Sequence, residues 1–375
     1  MVSYIVNVSN YKIHVIKLKN KGWLQVRSVH SDIIQFRGRH YDYGYMQGEH
    51  LKNSLIIKNR HRDWRLRRPR FTIDEAEAKQ AFMRFAPGIW EELLGLRDAL
   101  QQPMSMILRD FGNYRVQPVY SGCSILTGKD YMIRNYDYHP KTYEGRYNLF
   151  QPTDGGYAVI GPSQRVTGRM DGMNEKGLVM GYNFMHRKDP GDGFICHMIG
   201  RIILEMCATT EEAIELVKEI PHRTSFSYIV LDEKEETYVI EATPRSVQVH
   251  QSNVCTNHFE VLQHENRRFI AESQERLNAI NNQKAQATDA YKAFRLLNDT
   301  DKGVFVSNYK SWSGTLHTSA YFPKEKQAWI ALGGDQEPVK IDFESWLSGK
   351  NLERSKIFGE IDTSSGFAHM DENPR

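Results

Sequence analysis

The chain has 375 residues, of which 40% are hydrophobic and 25% charged, a globular composition long enough for one large domain or two smaller ones. The formal net charge of +3 gives no overall case for a protein that binds nucleic acid or a membrane surface. No apolar run approaches the roughly 18–20 residues of a membrane-spanning helix, and the N-terminal sequence lacks the pattern of a secretion signal. Four cysteines form neither a Cys-x-x-Cys metal pair nor a dense disulfide framework. We therefore expect a cytoplasmic protein.

The N-terminal third predicts short strands followed by helices. Apolar and polar side chains alternate over residues 3–36, which is typical of strands. Apolar residues at helical spacing follow, and residues 72–112 predict helices with breaks at Pro87-Gly88 and Pro103.

A run of positive charge interrupts this helical region. Residues 58–70 carry seven basic residues against the single acid Asp63. Such a run is most often a solvated helix face or a linker, and less often a cradle for an anionic substrate, a phosphate-bearing acyl donor or nucleic acid. We therefore expect a solvated face. The basic residues are Lys58, Arg60, Arg62, Arg65, Arg67, Arg68 and Arg70.

Residues 121–137, which read SGCSILTGKDYMIRNYD, predict a β-hairpin. Two apolar runs flank Thr-Gly-Lys-Asp, which has the composition of a turn. If the turn is centred on Gly128-Lys129, Cys123 lies opposite Arg134, and directly opposed side chains share a face. Strict alternation then places Asp137 on the other face. Asp137 would reach the thiol only if its strand bulges or ends between Arg134 and Asp137.

The hairpin contains no histidine that could activate the Cys123 thiol. A cut between Gly122 and Cys123 would provide a base, because a free α-amine has a pKa of roughly 7.7–8.0 and suits general-base catalysis near neutrality. Gly122 has no Cβ and can hold the strained backbone that an N-to-S acyl shift needs. The alternative is a buried cysteine in a core hairpin with a surface Arg/Asp pair.

Gly-Cys-Ser followed by Arg-Asn-Tyr-Asp resembles the nucleophile hairpin of a known group of enzymes. These are the choloylglycine hydrolase and isopenicillin-N acyltransferase group of N-terminal-nucleophile (Ntn) hydrolases. In this group an N-terminal Cys is followed by a strand that ends Arg-Asn-x-Asp. The resemblance spans roughly residues 36–333 and includes the glycines that precede a helix in the family's propiece, here Gly38, Gly44 and Gly48.

Three later motifs resemble the group in the same order. The stretch GRMDGMNEKGLVMGYNF, residues 168–184, predicts a turn and a strand, and the resemblance assigns its Asn183 to an oxyanion hole. A meander then leads to Thr256-Asn257, whose Asn the resemblance also assigns to the oxyanion hole. A Ser-x-x-Arg sequence on a predicted helix places Arg276 near the active site, with Arg267 and Arg268 as nearby rivals. Taken singly, Asn183 could instead be a strand-end residue that satisfies local backbone groups, and Arg276 could lie on a surface.

The remaining pattern predicts helices over residues 194–208, 210–220, 264–282 and 286–299, and a closing hairpin over residues 315–333. Composition alone indicates only an α+β protein. The resemblance implies a four-layer αββα Ntn-hydrolase sandwich with two stacked antiparallel sheets. Residues 1–122 would form an N-terminal segment, strands then helices, packed on a catalytic region of residues 123–375.

The resemblance implies a self-processing amidase or acyltransferase that acts on linear amides through a Cys123 thioester. Arg134 and Asp137 would orient and tune the nucleophile, and no metal or organic cofactor is required. The expected partner is a small-molecule N-acyl amide, with an acyl donor and a second copy of the chain as further candidates, and neither nucleic acid nor a membrane. The region between Asp137 and Asn183 is shorter than in a typical bile-salt hydrolase, so we do not expect bile-salt specificity.

Two alternatives stay open. A non-catalytic or unprocessed binding protein on the same fold would retain its activity without Cys123. A thiol enzyme of the Cys/His type would use His258 or His317 as its base and would be active in the intact chain.

Overall fold

The computed structural model describes residues 2–8, 11–17, 23–67, 73–116, 122–185, 190–266, 270–309 and 314–374. These residues form strands that collect into two sheets, and α-helices that lie on the outer face of each sheet. The strands are β1 (Val2–Val8), β2 (Tyr11–Lys17), β3 (Trp23–Gly38), β4 (Gly122–Thr127), β5 (Met132–Tyr138), β6 (Arg146–Pro152), β7 (Val159–Gln164), β8 (Gly168–Arg169), β9 (Asp171–Asn174), β10 (Val179–Phe184), β11 (Phe226–Leu231), β12 (Thr237–Ala242), β13 (Val247–His250), β14 (Val254–Cys255), β15 (Gly314–Phe322), β16 (Gln327–Leu332), β17 (Val339–Asp342) and β18 (Lys356–Asp362). The α-helices are α1 (His40–Leu51), α2 (Leu55–Arg67), α3 (Glu75–Phe85), α4 (Pro87–Leu100), α5 (Met104–Ile107), α6 (Cys196–Met206), α7 (Thr210–Glu219), α8 (Ala271–Gln283), α9 (Ala290–Asn298) and α10 (Phe343–Leu347). No helix of the described ranges is long and apolar enough to cross a bilayer.

Several helices begin where a side chain caps the first turn. Asp74 caps α3, Thr209 caps α7 and Asp289 caps α9, each by accepting a hydrogen bond from a backbone N–H of the first turn. Pro87 opens α4, where its missing N–H costs nothing. The predicted helices over residues 194–208 and 210–220 are confirmed as α6 and α7.

The larger sheet has twelve strands in the order β1-β2-β3-β6-β7-β9-β10-β11-β12-β13, with β18 also paired to β3 and β8 to β7. The smaller sheet has six strands in the order β14-β4-β5-β15-β16-β17. The smaller sheet is antiparallel throughout, and the larger departs from the predicted all-antiparallel pattern where β3 pairs in parallel with β6. This parallel pair is possible because α1 to α4 and the β4–β5 hairpin connect its two strands.

Three apolar clusters define the layers. Helices α1 to α7 pack on one face of the larger sheet, where Phe82, Leu93 and Ile199 are buried. The two sheets pack face to face over side chains such as Ile125 and Ile229, and α8 and α9 cover the outer face of the smaller sheet. The predicted αββα order of layers is confirmed.

Two of the glycines that contribute to the resemblance permit close packing of α1 on α4. A Cβ on Gly44 would lie 2.0 Å from the carbonyl oxygen of Glu92, and a Cβ on Gly48 would lie 2.6 Å from the Cβ of Ala99. Real Cβ atoms do not approach other atoms so closely, so any larger residue would separate the helices.

The β4–β5 hairpin is confirmed, but its register differs by two residues from the predicted one. Cys123 lies opposite Tyr136, and Arg134 lies opposite Ile125. The loop is four residues long, and the N–H of Gly128 donates to the carbonyl of Tyr131 at 2.9 Å. Because a shift of two residues preserves the face, the Cys123 and Arg134 side chains still lie on the same side of the hairpin.

The basic run is partly used inside the molecule, contrary to the expectation of a solvated face. Arg60 on α2 is partly buried, with 8% of its side chain exposed; it donates to the carbonyl of Asp110 at 2.9 Å and pairs with Glu144. Lys58 is exposed. The side chains of Arg65 and Arg67, and the whole of Arg68 and Arg70, lie outside the described residues.

Elements on both sides of residue 122 share the larger sheet and a buried network of charges. Glu92 of α4 accepts a hydrogen bond from Arg201 of α6 at 3.0 Å, and Arg201 also pairs with Glu205 one turn later. His40 at the start of α1 contacts Glu205 (Nε2 to Oε2, 3.4 Å) and Asp154 (Nδ1 to Oδ1, 2.6 Å). The division of the chain into residues 1–122 and 123–375 remains a prediction.

The charge of His40 is expected to stabilise the fold in a pH-dependent way. Burial alone would lower the pKa of His40, but its hydrogen bond to Glu205 and the charge of Glu205 outweigh burial and raise that pKa to about 9. Because the folded-state pKa lies above the unfolded value, this stabilisation is complete below about pH 6.5 and is lost as the pH rises through 9, a change on the order of 3 kcal/mol. We predict that His40→Gln lowers the free energy of unfolding at pH 6 and much less at pH 10, as measured by urea denaturation.

The reference protein and the His40→Gln variant should both carry Cys123→Ala, so that neither chain can be cut between Gly122 and Cys123. His50→Gln is the matched control, because His50 lies exposed on the same helix. Equal losses for His40→Gln at both pH values would contradict the prediction.

Candidate active site

Cys123 is fully buried near the start of β4, and its backbone is held from both sides. The Oδ1 of Asn257 accepts a hydrogen bond from the N–H of Cys123 at 2.6 Å. The Nη1 of Arg276 donates to the carbonyl of Cys123 at 2.6 Å and to the Oγ of Ser124 at 2.7 Å. Each of the two peptide groups that flank Cys123 is therefore fixed by a polar side chain from elsewhere in the chain.

The sulfur of Cys123 contacts a buried arginine. The Nη2 of Arg134 lies 3.3 Å from the Sγ of Cys123 and also donates to the carbonyl of Tyr182 at 2.5 Å. The Arg134 guanidinium lies 5.0 Å from the ring centre of Tyr136 and 4.8 Å from that of Tyr182, within cation–π range. The side chains of Cys123 and Arg134 are thus close, as predicted, but the two residues are diagonal neighbours in the hairpin and do not pair directly.

Burial raises the pKa of the Cys123 thiol to about 11, although the positive charge of Arg134 opposes the rise. The thiol of the intact chain is therefore protonated near neutrality. A base is needed before this sulfur can act as a nucleophile.

Asp137 lies on the opposite face of β5 from Arg134, as strict alternation requires. Its strand does not bulge: Gly122 pairs with Asp137 in register, and the irregularity falls in the neighbouring β15. The Oδ1 of Asp137 accepts a hydrogen bond from Thr315 at 2.6 Å, and its Oδ2 lies 3.7 Å from the Nη1 of Arg276. The carboxyl group of Asp137 therefore lies beside the Gly122–Cys123 peptide.

Asp137 is fully buried, and its Oδ2 makes no hydrogen bond to any described residue. Burial raises the pKa of Asp137 to about 6, and the charge of Arg276 only partly offsets this. A carboxyl with a free oxygen and a pKa close to neutrality can accept a proton or a hydrogen bond from a new partner.

Asn183 and Asn257 are both buried at the end of the site where β10 meets the edge of the smaller sheet. The Nδ2 of Asn183 donates to the carbonyl of Thr256 at 3.2 Å, and the Nδ2 of Asn257 donates to the carbonyl of Phe184 at 2.9 Å. The orientation of the Asn257 amide follows from its partners, because two N–H donors face one end and a carbonyl faces the other. In the intact chain its oxygen, rather than its NH₂, points to Cys123.

Both ends of the Ser-x-x-Arg motif contact the site. The Oγ of Ser273 accepts a hydrogen bond from the N–H of Asn257 at 2.7 Å, and the Nη2 of Arg276 donates to the Oδ1 of Asn257 at 2.8 Å. Helix α8 therefore fixes Asn257 and the Cys123 backbone together. The rivals Arg267 and Arg268 lie outside the described residues.

Neither of the two candidate histidines makes a hydrogen bond with Cys123 within the described ranges. The Nδ1 of His258 lies 2.8 Å from the Oγ of Ser273, and the Nε2 of His317 lies 3.4 Å from the Oδ2 of Asp171. Burial lowers the pKa of His258, so that it carries little positive charge at neutral pH. These contacts give no support to a Cys/His enzyme.

Asp171 is the main residue of the site that the sequence did not single out. It pairs with Arg134 (Oδ2 to Nη1, 2.6 Å) with both side chains fully buried. The sequence did contain a signal for Asp171: it is an acidic residue at the start of a strand that neighbours an apolar strand. It also belongs to the same motif as Asn183. Sequence alone could not relate it to Arg134, which lies on the other sheet.

Three acidic side chains, Glu211, Asp232 and Glu236, lie within 4.8 Å of one another on α7 and the turn after β11. Acidic groups of this kind are common on protein surfaces, and Asp232 already accepts hydrogen bonds from Thr210. They belong to neither the hairpin nor the elements that contact Cys123.

The family model for acyl-coenzyme A:6-aminopenicillanic acid acyl-transferase matches residues 126–337, which is more than half of the chain and begins just after Cys123. No curated protein matches the chain in sequence.

Similar solved structures include penicillin V acylase from Agrobacterium tumefaciens, at 14% identity over 60% of this chain and 86% of that one, with a TM-score of 0.42. A mutant of the conjugated bile acid hydrolase from Clostridium perfringens matches at 15% identity over 65% and 98% of the two chains, with a TM-score of 0.42. The Caenorhabditis elegans ortholog of N-acylethanolamine-hydrolyzing acid amidase matches at 13% identity over 54% and 92%, with a TM-score of 0.39.

The length of the family match, together with the layered architecture, decides the assignment. The chain belongs to the acyl-coenzyme A:6-aminopenicillanic acid acyl-transferase family, and it is an enzyme of the amidase and acyltransferase class with an Ntn-hydrolase fold.

Proposed function

We propose that the protein is a self-processing cysteine Ntn hydrolase. It cleaves the C–N bond of a linear, non-peptide amide, or transfers the acyl group, through a thioester on Cys123. The proposal rests on the polar contacts of Cys123. Arg134 contacts its sulfur. Asn257 accepts a hydrogen bond from its backbone N–H, and Arg276 donates one to its carbonyl. Buried backbone groups need hydrogen-bond partners in any case, but a cysteine that served only as a core residue would not need a guanidinium on its sulfur.

The backbone nitrogen of Cys123 is the proposed base. With a pKa of about 11 in the intact chain, the Cys123 thiol is protonated near neutrality, so each turnover needs a base that takes its proton. A free α-amine has a pKa of roughly 7.7–8.0 and would take the thiol proton directly or through water. The Oδ1 of Asn257, 2.6 Å from this nitrogen, supports the proposal because it can orient the amine once it is free.

Self-cleavage begins when the Cys123 sulfur attacks the carbonyl carbon of Gly122. The C–S bond forms, the C–N bond of the Gly122–Cys123 peptide breaks, and the thiol proton passes to the nitrogen, which becomes the α-amine. Water then hydrolyses the thioester, which leaves a carboxylate on Gly122 and returns the thiol. Asp137 and Arg276 lie beside this peptide and are proposed to stabilise the charges that develop there.

In each catalytic cycle the sulfur attacks the carbonyl carbon of an N-acyl amide. The leaving amine takes a proton from the α-ammonium, and the acyl group remains on Cys123 as a thioester. Attack by water makes the enzyme an amidase, and attack by another amine makes it an acyltransferase. The proposed substrate is a small-molecule N-acyl compound, with an acyl donor as a further partner in the second case.

The proposed oxyanion donors are the NH₂ groups of Asn183 and Asn257. Each now donates to a backbone carbonyl, that of Thr256 or Phe184, and each would exchange that carbonyl for the substrate oxyanion. Arg134 is proposed to stabilise negative charge on the sulfur.

We predict that the purified protein consists of two fragments, residues 1–122 and 123–375, and that Cys123→Ala remains a single chain without amidase activity. The physical reason is that both the cut and the reaction require the same sulfur. Intact-protein mass spectrometry measures the cut, and turnover of a chromogenic N-acyl p-nitroanilide measures activity.

Cys207→Ala is the matched control, because Cys207 is also a buried free cysteine but lies at the end of α6. It should be cut and active like the wild type. A single uncut chain that hydrolyses the amide would overturn the proposal. Ligand binding that persists in Cys123→Ala, without any turnover in the wild type, would favour the binding-protein alternative.

Removing either oxyanion donor should slow the reaction of the cut enzyme. We predict that Asn183→Ala and Asn257→Ala each lower kcat by about 10²–10³-fold, the usual effect of losing one such donor. Asn257→Ala should also slow self-cleavage, because Asn257 holds the Cys123 N–H.

Each kcat should be divided by the fraction of cut protein, which mass spectrometry gives. Asn282→Ala on the exposed side of α8 is the control. The oxyanion assignment fails if both asparagine variants turn over at the rate of this control.

A further inference from the structure

Asp171 is a fully buried carboxylate on β9 of the larger sheet that four donors surround. Its Oδ2 lies 2.6 Å from the Nη1 of Arg134 and 3.4 Å from the Nε2 of His317. Its Oδ1 accepts hydrogen bonds from the Oγ of Ser319 at 2.8 Å and the hydroxyl of Tyr321 at 2.5 Å. The carboxylate is therefore held from both of its oxygens, mostly by residues of β15 on the opposite sheet.

Arg134 transmits that placement to the nucleophile. A guanidinium is planar, so fixing one of its terminal nitrogens also fixes the direction of the other. The Nη1 of Arg134 points to Asp171, and its Nη2 points to the Sγ of Cys123 at 3.3 Å and the carbonyl of Tyr182 at 2.5 Å. The carboxylate of Asp171 and the sulfur of Cys123 are thus connected through one rigid group.

The sheet also leaves room for Arg134 at this point. Gly181 lies opposite Asp171 in the β9–β10 pairing, and a Cβ on Gly181 would lie 3.0 Å from the Cδ of Arg134 and 2.9 Å from the Cδ1 of Ile125. A larger residue would displace Arg134. Gly181, which leaves space for Arg134, and Asp171, which holds it, therefore occupy paired positions on adjacent strands.

We propose that Asp171 is a positioning residue of the reaction, which holds the Arg134 guanidinium against the Cys123 sulfur. The inference rests on the proposed function, because it assumes that Cys123 is the nucleophile. Asp171 touches neither the sulfur nor the scissile peptide, and it acts through Arg134.

The ionisation of Asp171 is consistent with this role. Burial alone would raise its pKa, but the hydrogen bond from His317 and the charge of Arg134 hold the pKa of Asp171 below its usual value. The carboxylate therefore remains charged at neutral pH. A purely structural role, in which Asp171 only joins the two sheets, would predict a loss of stability with no specific dependence on Arg134.

A double-mutant cycle on the cut enzyme separates these roles. We predict that Asp171→Asn lowers kcat by about 10–100-fold and leaves KM nearly unchanged, because a nucleophile displaced by a fraction of an ångström reacts far more slowly. Arg134→Gln should lower kcat at least as much. The double variant should be no slower than Arg134→Gln alone, because residues that act as one unit are not additive.

Two measurements check this: kcat and KM with the chromogenic N-acyl p-nitroanilide, and the rate at which iodoacetamide labels Cys123. Both rates should fall in Asp171→Asn. The inference is wrong if a folded Asp171→Asn protein matches the wild type in both rates, or if the losses of the two single variants multiply in the double variant.

If Asp171→Asn does not fold, Tyr321→Phe takes its place, since it removes one donor to Asp171 and leaves every charge in place. Its control is Thr318→Val, which removes a buried hydroxyl from the other face of β15, where it contacts Asn135. Tyr321→Phe should lower kcat relative to this control. Combined with Arg134→Gln, it should cause no further loss of kcat beyond that of Arg134→Gln alone. Equal kcat values for Tyr321→Phe and Thr318→Val would overturn the inference.

These outcomes can be told apart from a failure of the proposed function. An active Cys123→Ala protein would refute the nucleophile assignment itself. An inactive Cys123→Ala protein, together with wild-type rates in Asp171→Asn or Tyr321→Phe, would refute only the role of Asp171.

Discussion

The site depends on the alternation of side chains along β4 and β5. The sulfur of Cys123 and the guanidinium of Arg134 face the larger sheet, where Asp171 lies. Ser124 and Asp137 face the other way, toward Arg276 on α8. One strand pair therefore presents the proposed nucleophile to one layer and the Gly122–Cys123 peptide to another, and a separate set of polar residues contacts each of them.

Each set is buried and internally paired, which is what allows charges to exist there. An unpaired ion in such a place would be strongly destabilising, whereas an ion pair with further hydrogen bonds is tolerated. Asp171 has four donors, while Asp137 keeps one oxygen without a hydrogen bond to any residue that the structure describes. This contrast is reflected in the pKa values, since that of Asp171 is lowered and that of Asp137 is raised to about 6.

The contacts across residue 122 do not depend on the covalent chain at that point. Strand β3 pairs with β6, and Glu92 pairs with Arg201, through groups remote from the Gly122–Cys123 bond. A cut there would break one peptide bond and leave these interactions in place. Self-processing is therefore compatible with the observed fold.

Much of the architecture could be predicted from the sequence because its signals are local. Alternation and helical spacing located most elements, and the order of short motifs indicated the family. The shared face of Cys123 and Arg134 was also predictable. It depends only on whether the loop between the paired strands has an even or an odd number of residues, and an error of two residues in the register does not change this.

Only the tertiary structure decided the contacts between distant segments. The register followed from a loop of residues 128–131, which is centred one residue later than the predicted turn. The pairing of Asp171 with Arg134 joins two sheets, and Arg60 pairs with Glu144 from a distant segment. The orientation of the Asn257 amide depends on Phe184 and Arg276. These partners are far apart in the chain, and sequence periodicity carries no information about which buried charges meet.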